Sequence, residues 1–144
     1  MLVRPSKTAR CYARPGRKGG RQEIQLGPAC WPIKQVIHEV LHTLGLLHEH
    51  QRPDRDEYLV IHWDNIVKKR LNSFKLLTVD EWYRFNYTFN FDSVMLYGPK
   101  VFSANGNDTM SAKGENATLL QQKDKPLLSD GDIFVLKELY NCKA

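Results

Sequence analysis

The chain is 144 residues long, 42% hydrophobic and 26% charged, a globular composition that excludes a disordered or collagen-like polypeptide and suits one domain. No apolar run reaches the ~18 residues of a membrane-spanning helix, and the opening Met1-Leu2-Val3-Arg4-Pro5 lacks the apolar stretch of a signal peptide. The net charge of +5 is local, because seven basic residues (Arg4, Lys7, Arg10, Arg14, Arg17, Lys18 and Arg21) precede the first acidic one, Glu23. Such a run can hold a polyanion. It has no aromatic residue beyond Tyr12 and no nucleic-acid motif, so no nucleic-acid partner is expected and a solvated loop is the simpler reading.

In chain order, residues 1–20 read as loop, rich in Gly, Pro and Arg. Arg21 to Leu26 alternates polar and apolar residues, the pattern of a short half-buried strand that stops at Gly27-Pro28. Cys11 and Cys30 bracket this stretch. A bridge between them would close a loop of about 20 residues and stabilise by about 3 kcal/mol, leaving Cys142 without a partner. Ile33, Val36, Ile37, Val40, Leu41 and Leu44 recur at helical spacing, which predicts a helix over about 31–45. Tyr58 to Trp63 reads as a strand and Asn65 to Leu77 as a helix. Asn86 to Asn116 is rich in Asn, Ser and Gly and predicts loops and turns. Ser129-Asp130-Gly131-Asp132 resembles a capping box and predicts a last helix over about 130–141, with Ile133, Leu136 and Tyr140 on one face. The sequons at Asn86, Asn107 and Asn116 permit an extracellular protein.

The chemistry concentrates in His38-Glu39-Val40-Leu41-His42-Thr43-Leu44-Gly45-Leu46-Leu47-His48. On a helix His38 and His42 share one face, opposite the apolar stripe. Two neutral imidazoles there can converge on one ion at about 2.0–2.1 Å, a donor set suited to zinc. Glu39 projects beside the pair, placed to take a proton from a water and too far round to be a ligand. Gly45 tolerates positive φ, so the helix can stop and the chain turn sharply. His48 can then complete a three-histidine site with an open fourth position, the mark of a catalytic zinc. Taken singly, His50 and His62 read as a surface and a strand histidine.

This pattern, H-E-x-x-H-x-x-G-x-x-H, is the metzincin zinc signature. Glu49-His50-Gln51-Arg52-Pro53-Asp54-Arg55-Asp56 resembles the extension of that signature in the astacin family. Ser93-Val94-Met95-Leu96-Tyr97 is similar to the family's S-x-M-H-Y Met-turn, with Leu96 in place of the histidine. The ending from Leu128 to Cys142 is also similar. The resemblance implies a two-lobed α+β metzincin-like zinc protease, a single catalytic domain over 1–144. Its zinc helix would close the upper lobe, and the Met-turn (about 93–97) and last helix would lie in the lower.

Residue by residue, the resemblance implies His38, His42 and His48 as zinc ligands, Glu39 as general base and Tyr97 as the phenol that stabilises the tetrahedral intermediate. Met95 would be the Met-turn residue, with Gly45 and Glu49 as further structural support and a Cys11–Cys30 disulfide. The implied cofactor is one Zn2+, the partners are protein or peptide substrates, and the setting is secreted. Family members often prefer an acidic residue just after the scissile bond. Lys123 and Lys125 are candidates to read it, although a solvated lysine pair is the simpler reading.

Family catalytic domains carry a helix and strands ahead of the position of Cys11, where this chain has ten residues. The N-terminal lobe is therefore expected to be incomplete, as in a fragment, a divergent short member or an incomplete gene model. In the family, the partner of Cys142 lies in that part, and the processed N-terminus is buried near the glutamate that Glu49 matches, which no segment here is expected to reach. Two other readings are a catalytically impaired zinc-binding fragment acting as a binding domain, and a polyanion-binding module using Arg4 to Arg21.

Overall fold

The computed structural model describes residues 2–8, 10–83, 85–114 and 117–142. The α+β chain divides into two compact units, Met1–Leu47 with Leu127–Ala144, and His48–Pro126. Among the described residues no helix is long and apolar enough to cross a membrane. The sequons at Asn86 and Asn107 are exposed, while Asn116 lies outside the described residues.

The first unit holds a three-stranded sheet of β1 (Leu2–Pro5), β2 (Cys11–Ala13) and β3 (Glu23–Leu26) in the order β1-β3-β2. β1 runs parallel to β3 with Leu2 opposite Glu23, and β2 antiparallel with Cys11 opposite Leu26. The alternation in β3 is real, since Ile24 and Leu26 are buried and Gln25 is exposed. The two strands inside the expected 1–20 loop are a correction. β1 is exposed at every position and β2 has three residues, so neither carries a burial pattern. Pairing with β3 defines them.

Ala13, Ile24, Leu26 and Cys30 form the core of this unit, with Cys11, Val36 and Val40 packed against it. The expected disulfide is present between Cys11 and Cys30, which are 19 residues apart. Arg4 and Arg21 both pair with Glu23. Arg10, Arg14, Arg17 and Lys18 lie outside the buried core, as a solvated loop requires.

The helix α1 spans Ile33–Thr43, shorter at both ends than the sequence pattern suggests. Its C-terminus is a Schellman turn: the Gly45 N–H donates to the His42 carbonyl at 2.9 Å and the Leu46 N–H to the Leu41 carbonyl at 3.0 Å. Gly45 takes φ +104°, as the bend after the helix demands, and the flanking Leu41 and Leu46 are buried together. The ends of the apolar stripe are not covered, for Ile33 is 59% and Leu44 36% exposed.

The second helix, α2 (Asp130–Tyr140), begins with the expected capping box between Ser129 and Asp132. It belongs to the first unit. Its buried face is also one residue out of register. Asp132 and Val135 are buried, while Ile133 and Tyr140 are exposed. An aspartate can face inward here because the cap satisfies its carboxylate.

In the second unit β4 (Leu59–Ile61) pairs antiparallel with β5 (Met110–Ala112). The core is Leu59, Ile66, Phe74, Phe89, Leu96, Met110 and Leu119, with Tyr97 among the partly buried residues against it. The helix expected over Asn65–Leu77 is instead a 3-10 helix at Lys68–Phe74. Ile66 is extended and bridges to Ser103, so the chain enters late. Leu71 and Phe74 then stack at the i, i+3 spacing that three residues per turn provides.

Candidate metal centre

The ligating atoms of His38, His42 and His48 lie within 4.8 Å of one another. His38 and His42 share a face of α1, with ring centroids 4.6 Å apart and planes at 88°. His42 Nδ1 donates to the Leu46 carbonyl at 2.8 Å, and His48 Nδ1 donates to Gln51 Oε1 at 3.0 Å. Each contact puts the proton on Nδ1 and the lone pair on Nε2, the tautomer that binds zinc. Burial, and then the charge of His38, push the His42 pKa down to about 4, so this imidazole is neutral at pH 7. Three convergent imidazole nitrogens fit a zinc ion.

Glu39 is 5% exposed. Burial pushes its carboxyl up to about 7, opposed by a hydrogen bond from the Ala13 backbone. Its Oε2 is buried with no hydrogen-bond partner among the described residues. An orphaned buried acceptor costs about 1–3 kcal/mol, and a water or substrate proton would supply the missing partner.

Met95 and Leu96 are buried in the turn 93–97, where the Met95 N–H donates to Ser93 Oγ at 2.9 Å. Leu96, which stands where the resemblance has histidine, belongs to the apolar core. The Tyr97 ring lies 4.8 Å from the His48 ring and stacks at 4.0 Å on His50. His50 is fully buried and donates from Nε2 to the Ser73 carbonyl at 3.0 Å, which corrects its reading as a surface residue. His62 follows β4 rather than lying within it, and hydrogen-bonds the Ser111 hydroxyl.

Glu49 is 3% exposed. Its carboxylate accepts from Arg52 Nη1 at 3.0 Å, Tyr87 Oη at 2.7 Å and the Asn90 N–H at 2.9 Å. Burial nonetheless raises its pKa above the ordinary carboxylate value. Arg55 donates to the carbonyls of His50 at 2.8 Å and Phe74 at 2.7 Å, which fixes the segment after His48. Sequence reasoning assigns these two arginines no role beyond their place in the motif, because their partners lie up to 35 positions away. Of the expected lysine pair, Lys123 is exposed and Lys125 is not. At 1% exposure, Lys125 donates to backbone carbonyls, which corrects the solvated reading.

Comparison with known proteins extends these observations. The chain is 37% identical over 134 residues to the zinc metalloproteinase nas-8 of Steinernema carpocapsae, covering 93% of this chain and 32% of that protein. It is 35% identical over 135 residues to nas-13 of Caenorhabditis elegans, covering 92% of this chain and 29% of that protein. It thus spans about a third of the length of these curated relatives. High choriolytic enzyme 1, a hatching enzyme zinc-protease from Oryzias latipes, superposes with a TM-score of 0.84 at 32% identity over 98% of this chain and 69% of that one. The family model of the astacin peptidases matches residues 2–141, and with three histidines converging as that family's zinc signature requires, the chain belongs to the astacin family.

Proposed function

We propose that residues 1–144 act as one catalytic domain that hydrolyses peptide bonds in proteins, with His38, His42 and His48 holding one Zn2+. The observation that carries this reading is the convergence of three imidazoles on a helix whose neighbouring carboxyl, Glu39, is buried with an unpartnered oxygen. The similar proteins named as zinc metalloproteinases and a zinc-protease support it. Zinc bound there would lower the pKa of a water toward about 7 and polarise the scissile carbonyl.

The residues supply the rest. Glu39 Oε2 takes the proton of the attacking water as its oxygen bonds to the carbonyl carbon. The same oxygen returns that proton to the amine nitrogen as the C–N bond breaks. Tyr97 Oη donates a hydrogen bond to the developing oxyanion. Glu49 and Met95 support the segments that carry His48 and Tyr97. The Cys11–Cys30 disulfide supports an oxidising, extracellular setting.

Glu39→Ala tests this reading. The variant should bind zinc as the parent does while hydrolysis of a casein or fluorogenic peptide falls at least about 100-fold. Full activity in a clean preparation refutes the role of Glu39. Zinc binding with no hydrolysis by the parent chain returns the reading to a zinc-binding domain without catalysis.

A further inference from the structure

Lys125 is 1% exposed, and a buried side-chain amine is costly unless its donors are satisfied. Its Nζ donates to the Leu96 carbonyl at 2.7 Å and the Ser93 carbonyl at 3.1 Å. Three residues earlier, Gln122 Nε2 donates to the Val94 carbonyl at 2.6 Å. The remaining carbonyl of the turn, that of Met95, accepts from the Glu49 N–H at 3.3 Å. Every carbonyl from Ser93 to Leu96 is therefore held by a group from outside the turn.

The Leu96 carbonyl and the Tyr97 N–H belong to one planar peptide. The shortest contact of Lys125 thus fixes the plane from which Tyr97 departs. Tyr97 in turn places its ring against His48 and His50. The turn closes on itself through the Leu96 N–H to the Ser93 carbonyl at 3.1 Å and the Met95 N–H to Ser93 Oγ at 2.9 Å, so the groups from outside set how it is oriented. A group built to hold a phenol at a reacting centre needs more than the core contact of its ring.

We propose that Lys125 is the positioning residue for Tyr97, clamping the Met-turn through the Ser93 and Leu96 carbonyls so that the phenol is held in its working place. This rests on the peptidase reading and on the role given there to Tyr97.

The test is a double-mutant cycle on the full chain with Lys125→Met and Tyr97→Phe. Lys125→Met, similar in length and without donors, should lower kcat about tenfold with KM within about twofold. In the Tyr97→Phe background it should cost nothing further. Equal losses in both backgrounds, or a Tyr97→Phe variant as active as the parent, overturn the proposal. Amide hydrogen exchange supplies a second readout, independent of activity. Lys125→Met should accelerate exchange at Met95 and Leu96 while β4 and α1 stay protected, and unchanged exchange there overturns the proposal. If the parent chain hydrolyses nothing, the peptidase reading fails and exchange alone decides on the clamp. Should Lys125→Met not fold, Lys125→Gln, which keeps a polar end but is too short to hold both the Ser93 and Leu96 carbonyls, reads the same turn by the same exchange, with faster Leu96 exchange supporting the clamp and no change overturning it.

Discussion

Arg52 joins two carboxylates of different character. Through Nη1 it meets the buried Glu49, and through Nε and Nη2 it meets both oxygens of Asp54 at 2.8 Å each. Those two hydrogen bonds hold the Asp54 carboxyl below its ordinary value. A carboxyl depressed in the folded state adds stability above its unfolded pKa, near 4, and loses it as pH falls through the lower folded value. Because 37% of the Asp54 side chain is exposed, solvent screening limits the gain to about 0.5–1 kcal/mol. Asp54→Asn should therefore be less stable than the parent by that amount at pH 7, and the gap should narrow as pH falls below the ordinary carboxylate range. Urea midpoints at pH 7 and in acid well below the ordinary carboxylate range check this, and a gap of equal size at both rejects it. Gly45 makes a different demand. A Cβ there would sit 3.6 Å from Leu139 and 3.8 Å from Gly16, ordinary contacts, so the constraint is its φ of +104°. That bend is legible in the sequence, since the glycine falls where the helical spacing runs out.

At the scale of elements, legibility follows burial pattern and local capping. α1, β3 and the start of α2 announce themselves by alternation, by 3.6-residue spacing and by Ser129 with Asp132. β1 and β2 do not, because what makes them strands is hydrogen bonding to β3. The 3-10 segment at Lys68–Phe74 shows apolar residues at a spacing that α and 3-10 helices share over two turns, so the sequence cannot choose between them. The buried face of α2 escapes the pattern because Asp132 counts as polar there yet is buried in the fold. The disulfide ties β2 to the turn at Pro28–Cys30 and restricts the unfolded chain. Its reduction should lower stability by about 3 kcal/mol. Urea denaturation with and without reductant measures the difference, and coincident curves reject it. Cys142, free and exposed, should react with a thiol reagent before reduction in folded protein.

At the scale of the molecule, zinc binding should appear as stability. A ligand that binds only the folded state at about a thousand times its Kd adds about 4 kcal/mol, or about 10 °C of Tm for a chain of this size. Scans with zinc and with chelator test this, and an unchanged Tm removes the metal from the account. The sequence by itself determined the cluster of three histidines, the carboxylate beside it and the glycine bend, because one short run from His38 to His48 carries all of them and a helix fixes the relative directions of its first members. Only the tertiary structure decided that Lys125 and His50 are buried and that Glu49 meets Tyr87 and Asn90. The contacts of His50 and Glu49 join residues 23 to 41 positions apart, a distance over which no periodic pattern operates and only the packed chain brings side chains together.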